Sequence, residues 1–408
     1  MVDPAPDAAS RVLRDEEEVE ARIRAICFKT GPPALVGAEL EWTVHRTTAP
    51  RAPLDSGTVR RALGPHTPTT LDPGSAPLPL PAGGQLTAEP GGQLEISSAP
   101  AASLAVLHSA VTTDLAHLRS LLATAGLSLG EHGIDPHRAP SRVLDTPRYA
   151  AMERSFDAHG PHGRTMMCST AGLQVCLDAG TPAQLSTRWA AVSALGPPLV
   201  AAFANSRRHA GRDTGWASAR MATWWGIDAR RSHPLDGSGT DPATSWFRYA
   251  LDAPLLCLRR TNGSWDPPPG VTLRDWINGA LPRPPTLDDL DYHLSTLFPP
   301  VRPRGYLEVR YLDAQPGADW IAPVAVLSSL LADDPTTQSA LELAAPTAGR
   351  WLSAARAGLA DRDLRRTAGA VLDLACRRLD RTGLSPQVRR QVTDIVQRRL
   401  RDAEQAEE

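Results

Sequence analysis

The chain has 408 residues, 42% of them hydrophobic, and a formal net charge of −2 at pH 7. That content supplies a core for one large domain or two and excludes a disordered chain, and the charge balance excludes a general pull toward nucleic acid or an anionic membrane. Lys29 is the only lysine and no glycine-rich P-loop surrounds it, so phosphate chemistry would have to use arginine, metal ions or backbone amides.

Residues 1–10 read as a frayed tail. A helix is expected over 14–28, where Val19, Ile23 and Ile26 recur at i, i+4 and i+7. The acidic start lacks the apolar stretch of a signal peptide, and no run of about 18 apolar residues suggests a membrane span. Cys27, Cys168, Cys176, Cys257 and Cys376 are few, odd in number and widely spaced. Reduced thiols in a cytoplasmic protein are the simple expectation. A strand is expected over 34–44. Residues 46–82, rich in Pro, Gly and Thr, read as a long loop excursion. A strand follows at 92–98, a helix at 101–126, and helical pattern again at 147–157. A strand at 171–178 and a helix at 183–203 come next. Residues 205–245 carry many Arg and Trp with little periodicity. The pattern then gives a strand at 251–259, short helices at 272–279 and 286–297, and a strand at 304–313. Helices are expected over 317–332, 336–344, 347–359, 362–379 and 385–405, the last opened by Ser385-Pro386. The expected division is a catalytic domain over 1–340 and a helical section over 341–408.

Alternate side chains of a strand face the same way. In the first strand Glu39 and Glu41 share a face, about 6.5–7 Å apart, with Val36, Ala38, Leu40 and Trp42 behind them. In "GGQLEISS", Gln93, Glu95 and Ser97 oppose Leu94 and Ile96; Glu89 lies just across "PGG". In "GLQVCLD", Gln174, Cys176 and Asp178 oppose Leu173, Val175 and Leu177. In "RGYLEVRYLD", Glu308 and Arg310 oppose Leu307, Val309 and Tyr311. A solvated antiparallel sheet face would explain this pattern. Yet rows of glutamate on neighbouring strands repel one another, and divalent cations between them would relieve that. Carboxylate oxygens suit Mg²⁺ or Mn²⁺.

At "GAELEW", "EPGGQLEISSAP", "TMMCSTAGLQVCLD", "AAFANSR", "ARMATWW", "DYHLSTLFPPVRPRGYLEVRYLDA" and "LLADD", taken in order, the sequence resembles the plant-type glutamate–cysteine ligases. The segment "GIDPHRAPSRVLDTPRYAAM" resembles the branch that opens ergothioneine biosynthesis. The resemblance implies an α+β fold similar to the catalytic domain of glutamine synthetase, with a curved, largely antiparallel sheet flanked by helices. It implies ATP-dependent coupling of L-glutamate to L-cysteine through a γ-glutamyl phosphate, with Mg²⁺ or Mn²⁺. Carried over by position, Glu39, Glu41, Glu89, Glu95, Gln174 and Glu308 would face the metal. Arg310, Glu41 and Glu308 would be catalytic, and Gln174 and Arg310 would meet the nucleotide. Arg220, with Arg148 and Tyr149, would contact substrate. Ser169 and Cys176 depart from the plant pattern, which has arginine and asparagine there.

Phosphoryl transfer between two anions agrees with this: metal ions and bidentate arginines neutralise the repulsion. The segments 46–82 and 205–235 are candidate covers. A monomer is favoured, with no nucleic-acid or membrane partner. Two other readings stay open from the residues: a ligase joining glutamate to a different amine, and a non-catalytic metabolite-binding relative.

Overall fold

Alternation in "VGAELEW" makes the central strand. β1 (Val36–Trp42) buries Val36, Ala38, Leu40 and Trp42 and turns Glu39 and Glu41 the other way. The computed structural model describes residues 11–235 and 241–405, so the expected tail over 1–10 lies outside the described residues. The chain continues through β2 (Val44–Arg46), β3 (Gln85–Ala88), β4 (Leu94–Ser97), β5 (Leu127–Leu129) and β6 (Gly172–Leu177). It then makes β7 (Arg208–His209), β8 (Arg212–Asp213), β9 (Val301–Pro303) and β10 (Leu307–Asp313). The large sheet has the order β3-β4-β1-β6-β10-β9, and every neighbouring pair in it is antiparallel. β2 pairs with β5 and β7 with β8 as small separate ladders. With its many helices this is the α+β class expected from the sequence.

The register decides what meets what. Glu41 stands opposite Glu95, and Glu39 opposite both Ser97 and Gln174. Cys176 stands opposite Glu308, and Glu308 opposite Arg302. Residues paired across an antiparallel ladder point to the same side, so all of these share one face. A β-bulge in β10 between Val309 and Leu312 shifts the pairing with β6. Tyr311 and Leu312 are consequently both buried, and Asp313 comes opposite Gly172.

The other face is apolar. Helices Leu104–Thr124, Gly196–Phe203 and Ile321–Leu330 lie against it. Trp351–Ala357, Arg362–Arg377 and Pro386–Gln405 pack in turn on those helices. Leu364, Val371, Leu372 and Ile395 from this C-terminal section join the same main apolar cluster as Leu40, Ile96, Val175 and Val309.

Several elements differ from expectation. The excursion over 46–82 holds a helix, Ser56–Leu63, whose first N–H groups are capped by Asp55. Two turns are too short to show a period. The helix expected over 183–203 is two, Pro182–Ala194 and Gly196–Phe203. Pro197 and Pro198 supply no N–H to bridge the break, and a Cβ on Gly196 would lie 1.8 Å from the Trp351 ring. The strand expected over 251–259 does not form. Its start belongs to helix Pro242–Asp252, and only an isolated bridge joins Pro254 to Thr272. Burial of Leu255–Leu258 explains the apolar run, which by itself cannot distinguish a strand from other buried backbone. The last strand begins at Leu307, and Gly305 at φ +82° turns the chain back onto β9. The short elements β3, β5, β9 and His162–Ser169 carried no visible signal.

The turn between β3 and β4 positions Glu89. Its N–H donates to the Gln93 carbonyl, and the Gly92 N–H to the Glu89 carbonyl. Gly92 sits at φ +83°. A Cβ on Gly91 would lie 2.1 Å from the Cys168 carbonyl oxygen, so glycine is what lets the turn approach the neighbouring backbone. Gly91→Ala is expected to destabilise the protein by about 1–3 kcal/mol. Denaturant unfolding checks this, with Gly31→Ala, where nothing lies within 4 Å, as the neutral control.

Candidate active site

The polar face of the sheet forms the floor of a cavity of about 390 Å³. Its walls differ in charge. Glu39 and Glu41 from β1, Glu95 from β4 and Glu89 from the β3–β4 turn line one side. Arg302 from β9, Arg304 from the following turn and Arg310 from β10 line the other. Arg148 and Tyr149 enter from helix Pro147–Asp157, and Trp224 from helix Ala219–Trp225.

Gln174 joins the two walls. Its Nε2 donates to Glu41 Oε1 at 3.2 Å and, more weakly, to Glu95 Oε2 at 3.5 Å. Its Oε1 accepts from Arg310 Nη1. Glu41 Oε2 also accepts the Gly172 N–H at 2.7 Å. Glu95 Oε1 accepts from Thr87 at 3.0 Å and Ser97 at 3.2 Å.

The acidic wall is strained by its own charge. Burial and then Glu308 raise Glu39. Burial, with Glu41 next, raises Glu89 to about 7. Burial, with Glu39 and Glu41 next, holds Glu95 well above the ordinary carboxylate range. Carboxylates in this condition are relieved either by protons or by a cation. Their hard oxygens and crowding fit a divalent ion. Among the described residues, however, no three His, Cys, Asp or Glu side chains are gathered into a ready-made metal-binding group. The four glutamates share a cavity and repel; they are not drawn into a ligand shell.

Glu308 behaves differently from its expected role. It is fully buried and stands behind the cavity lining. Oε2 accepts from Arg302 Nε at 2.6 Å and Arg310 Nη1 at 3.0 Å, and Oε1 from Arg304 Nη1 at 3.2 Å. Burial alone would raise its pKa, but Arg302 and Arg310 outweigh that and hold it down at about 2. In this geometry its carboxylate anchors three guanidiniums from behind the cavity lining.

Arg220 also departs from expectation. It is 2% exposed and absent from the cavity lining. Its Nη2 donates to the Arg310 carbonyl at 2.9 Å, Nη1 lies 4.0 Å from Asp313, and Nε has no partner. It supports β10 from behind and does not line the cavity. Of the two candidate covers, no residue of 46–82 lines the cavity, and 205–235 contributes Trp224 alone. The Trp224 ring carries Arg220 and Arg310 at 5.7 and 5.6 Å.

Arg302 and Arg304 were not singled out from the sequence. The signal was present in "VRPRGYLE": two arginines two apart, a glycine turn, then a buried glutamate. Met152, Met166, Met167, Ser295 and Phe298 also line the cavity and gave no signal of their own.

A model of glutamate–cysteine ligase family 2 matches residues 35–408. The chain belongs to that family. Among its relatives, "Glutamate–cysteine ligase EgtA" of Mycobacterium tuberculosis is 44% identical over 309 residues, covering 74% of this chain and 72% of that one. EgtA of Mycolicibacterium smegmatis is 40% identical over 372 residues, covering 89% and 84%. The chloroplastic glutamate–cysteine ligase of Arabidopsis thaliana is 32% identical over 271 residues, covering 64% and 51%. Among solved structures, a glutamate–cysteine ligase from Francisella tularensis in complex with AMP superposes with a TM-score of 0.42 at 12% identity, over 92% of this chain and 95% of that one. The family assignment rests on the family model and the sequence relatives.

The raised carboxylates of this family member give a pH test. Burial, with Glu41 next, pushes Glu89 up to about 7 from an ordinary 4.5. A pKa raised by folding adds stability that is present below the unfolded value and lost as pH rises through the folded one. Without divalent cation, the melting temperature should therefore fall between about pH 5 and pH 8. Glu89→Gln should flatten that fall, and added Mg²⁺ should raise the melting temperature more at the alkaline end. An undiminished slope in the variant would place the repulsion elsewhere.

Proposed function

We infer that the protein is a glutamate–cysteine ligase. It joins the γ-carboxylate of L-glutamate to the amine of L-cysteine, with ATP converted to ADP and phosphate. The observation that carries this reading is the two-sided cavity, carboxylates facing arginines across Gln174, in a chain of this family. The likeness to the EgtA ligases supports placing the reaction at the opening of ergothioneine biosynthesis.

The chemistry follows from charge. A γ-carboxylate and a triphosphate repel, and their oxygens must line up before phosphate can move. Arg302, Arg304 and Arg310 hold the phosphate charge, locked in place by Glu308. Glu39, Glu41, Glu89 and Glu95, with Gln174, would hold Mg²⁺ or Mn²⁺. Such an ion, when bound, supplies charge neutralisation and orientation of the phosphoryl oxygens. Arg310 touches both walls through Gln174 and Glu308, and is the group best placed to follow the phosphoryl oxygens as charge moves onto the glutamate. The cysteine amine then attacks the γ-glutamyl carbon, a carbon–nitrogen bond forms, and phosphate leaves with the oxygen it took. Burial of the walls keeps water from the acyl phosphate. The catalytic part spans 1–340 in this reading, and the helices beyond it buttress the back of the sheet.

Glu41→Gln and Glu95→Gln are each expected to lower glutamate-dependent ADP formation by at least about 100-fold, with circular dichroism unchanged. Coupled ADP assay with an amine panel measures this. Wild-type rates in both variants would remove the carboxylate wall from the mechanism.

A further inference from the structure

Away from the cavity, two histidines meet at their ring nitrogens. His66 ends the short turn Gly64–His66 in the excursion over 46–82, and His117 lies on helix Leu104–Thr124. That helix packs on the apolar face of the sheet, so the pair stands apart from the carboxylate and arginine walls. The two Nε2 atoms are 3.2 Å apart, with ring centroids 5.1 Å apart and ring planes at 83°. The rings therefore meet at their corners and do not stack. Both side chains are half-buried, and so within reach of small solutes.

Backbone contacts orient His66. Leu78 grips its turn twice: the Leu78 N–H donates to the Pro65 carbonyl at 2.9 Å, and the Leu78 carbonyl lies 2.9 Å from His66 Nδ1. A carbonyl only accepts, so Nδ1 carries the proton and Nε2 of the neutral ring presents a lone pair. Thr67 Oγ1 donates to the Gly64 carbonyl at 2.8 Å and closes the turn. His117 is placed by its helix. Asp114, three residues earlier and so on the same helix face, accepts the Ala82 N–H at 2.6 Å and the Gly84 N–H at 2.9 Å. The end of the excursion is laid on this face at Asp114, and His66 reaches His117 one turn further along.

A hydrogen bond between the rings accounts for the contact, with His117 Nε2 donating to His66 Nε2. The same geometry accommodates a metal ion. Two nitrogens on one tetrahedral zinc ion, each at about 2.0–2.1 Å, are themselves about 3.3–3.4 Å apart. An Nδ1–H given to a backbone carbonyl is also the arrangement that fixes the tautomer and ring direction of a metal-ligating histidine.

We propose that His66 and His117 form a two-nitrogen site for a borderline divalent transition-metal ion, of which zinc is the type, and that the ion staples the excursion to the helix under the sheet. The site does not depend on the ligase reading. Imidazole nitrogen suits Zn²⁺, Ni²⁺ and Cu²⁺, whereas Mg²⁺ prefers oxygen, so it is chemically distinct from the carboxylate wall. Among the described residues no third His, Cys, Asp or Glu completes a metal-holding group, and both Asp114 oxygens are taken by backbone N–H groups. Water fills the remaining positions. The ion takes the place of the proton between the rings; that proton passes through water to His117 Nδ1, and the neutral pair loses none.

Titration calorimetry with Zn²⁺ and Ni²⁺ tests this, in saturating Mg²⁺ so that oxygen ligands are occupied. Wild-type protein should bind the ion at least about tenfold more tightly than His66→Gln or His117→Gln. Both positions are half-exposed, so metal-free melting temperatures should stay close to wild type. Zn²⁺ should raise the wild-type melting temperature and slow amide exchange over residues 64–80, and should do neither in the double variant. Cu²⁺ at one equivalent should show electron-spin coupling to two imidazole nitrogens in the wild type, absent from the double variant. If the double variant binds Zn²⁺ as tightly as wild type, the ion sits on other residues and the proposal falls. Binding at the pair without slower exchange over 64–80 would overturn the staple.

Discussion

Glu41 and Glu95 face each other directly across two hydrogen-bonded strands, with Glu39 and Glu89 close by. Like charges in that relation destabilise a sheet, and burial sharpens the effect, because the low local dielectric strengthens the repulsion and removes the water that would screen it. The rest of the site can be read as the means by which this arrangement is kept. Gln174 donates to two of the carboxylates. Thr87 and Ser97 satisfy a third oxygen. The arginine row opposite supplies positive charge across the cavity. What remains uncompensated is the attraction for a cation.

The arginine row poses the reverse problem, and Glu308 solves it. Three guanidiniums on one sheet edge would splay toward solvent if nothing held them. A fully buried carboxylate behind them fixes Arg302, Arg304 and Arg310 through both of its oxygens. A buried ion pair contributes little net stability, since desolvation offsets the attraction. Its effect here is to fix direction: three cations are held toward one place, as the proposed phosphate-binding role requires. Preorganisation of that kind is what an active site needs for charge that develops during reaction.

Much of this was legible in the sequence, because a strand has a period of two and an apolar–polar alternation reports its faces directly. Glu39, Glu41, Glu95, Gln174 and Arg310 could be placed on one face from spacing alone, and the family motifs added Glu89. What could not be read was partnership. Glu308 shares the face of the metal-facing set, and only the β9 hairpin, invisible as a three-residue strand, reveals that arginines consume its oxygens. Arg220 sits in a family motif, yet its direction depends on how helix Ala219–Trp225 crosses the end of β10. The methionines that line the cavity come from two short helices, so no local period marks them. The helix inside 46–82 was missed because two turns do not establish a period, and the run after Leu251 because buried backbone outside a ladder carries the same apolar signal as a strand.

The bulge changes how β10 is held at Arg310. Elsewhere the sheet is a continuous lattice of ladder bonds, stiff against displacement. At Arg310 the ladder with β6 is interrupted. The Arg310 N–H reaches the Pro300 carbonyl, and its own carbonyl takes the Arg220 guanidinium. The residue that spans both charged walls is therefore mounted on the one stretch of this strand whose backbone is held by side-chain and loop contacts in place of its neighbour on β6. The position of Arg310 in the cavity floor is therefore set from outside the β6 ladder, by a loop carbonyl on one side and a buried guanidinium on the other.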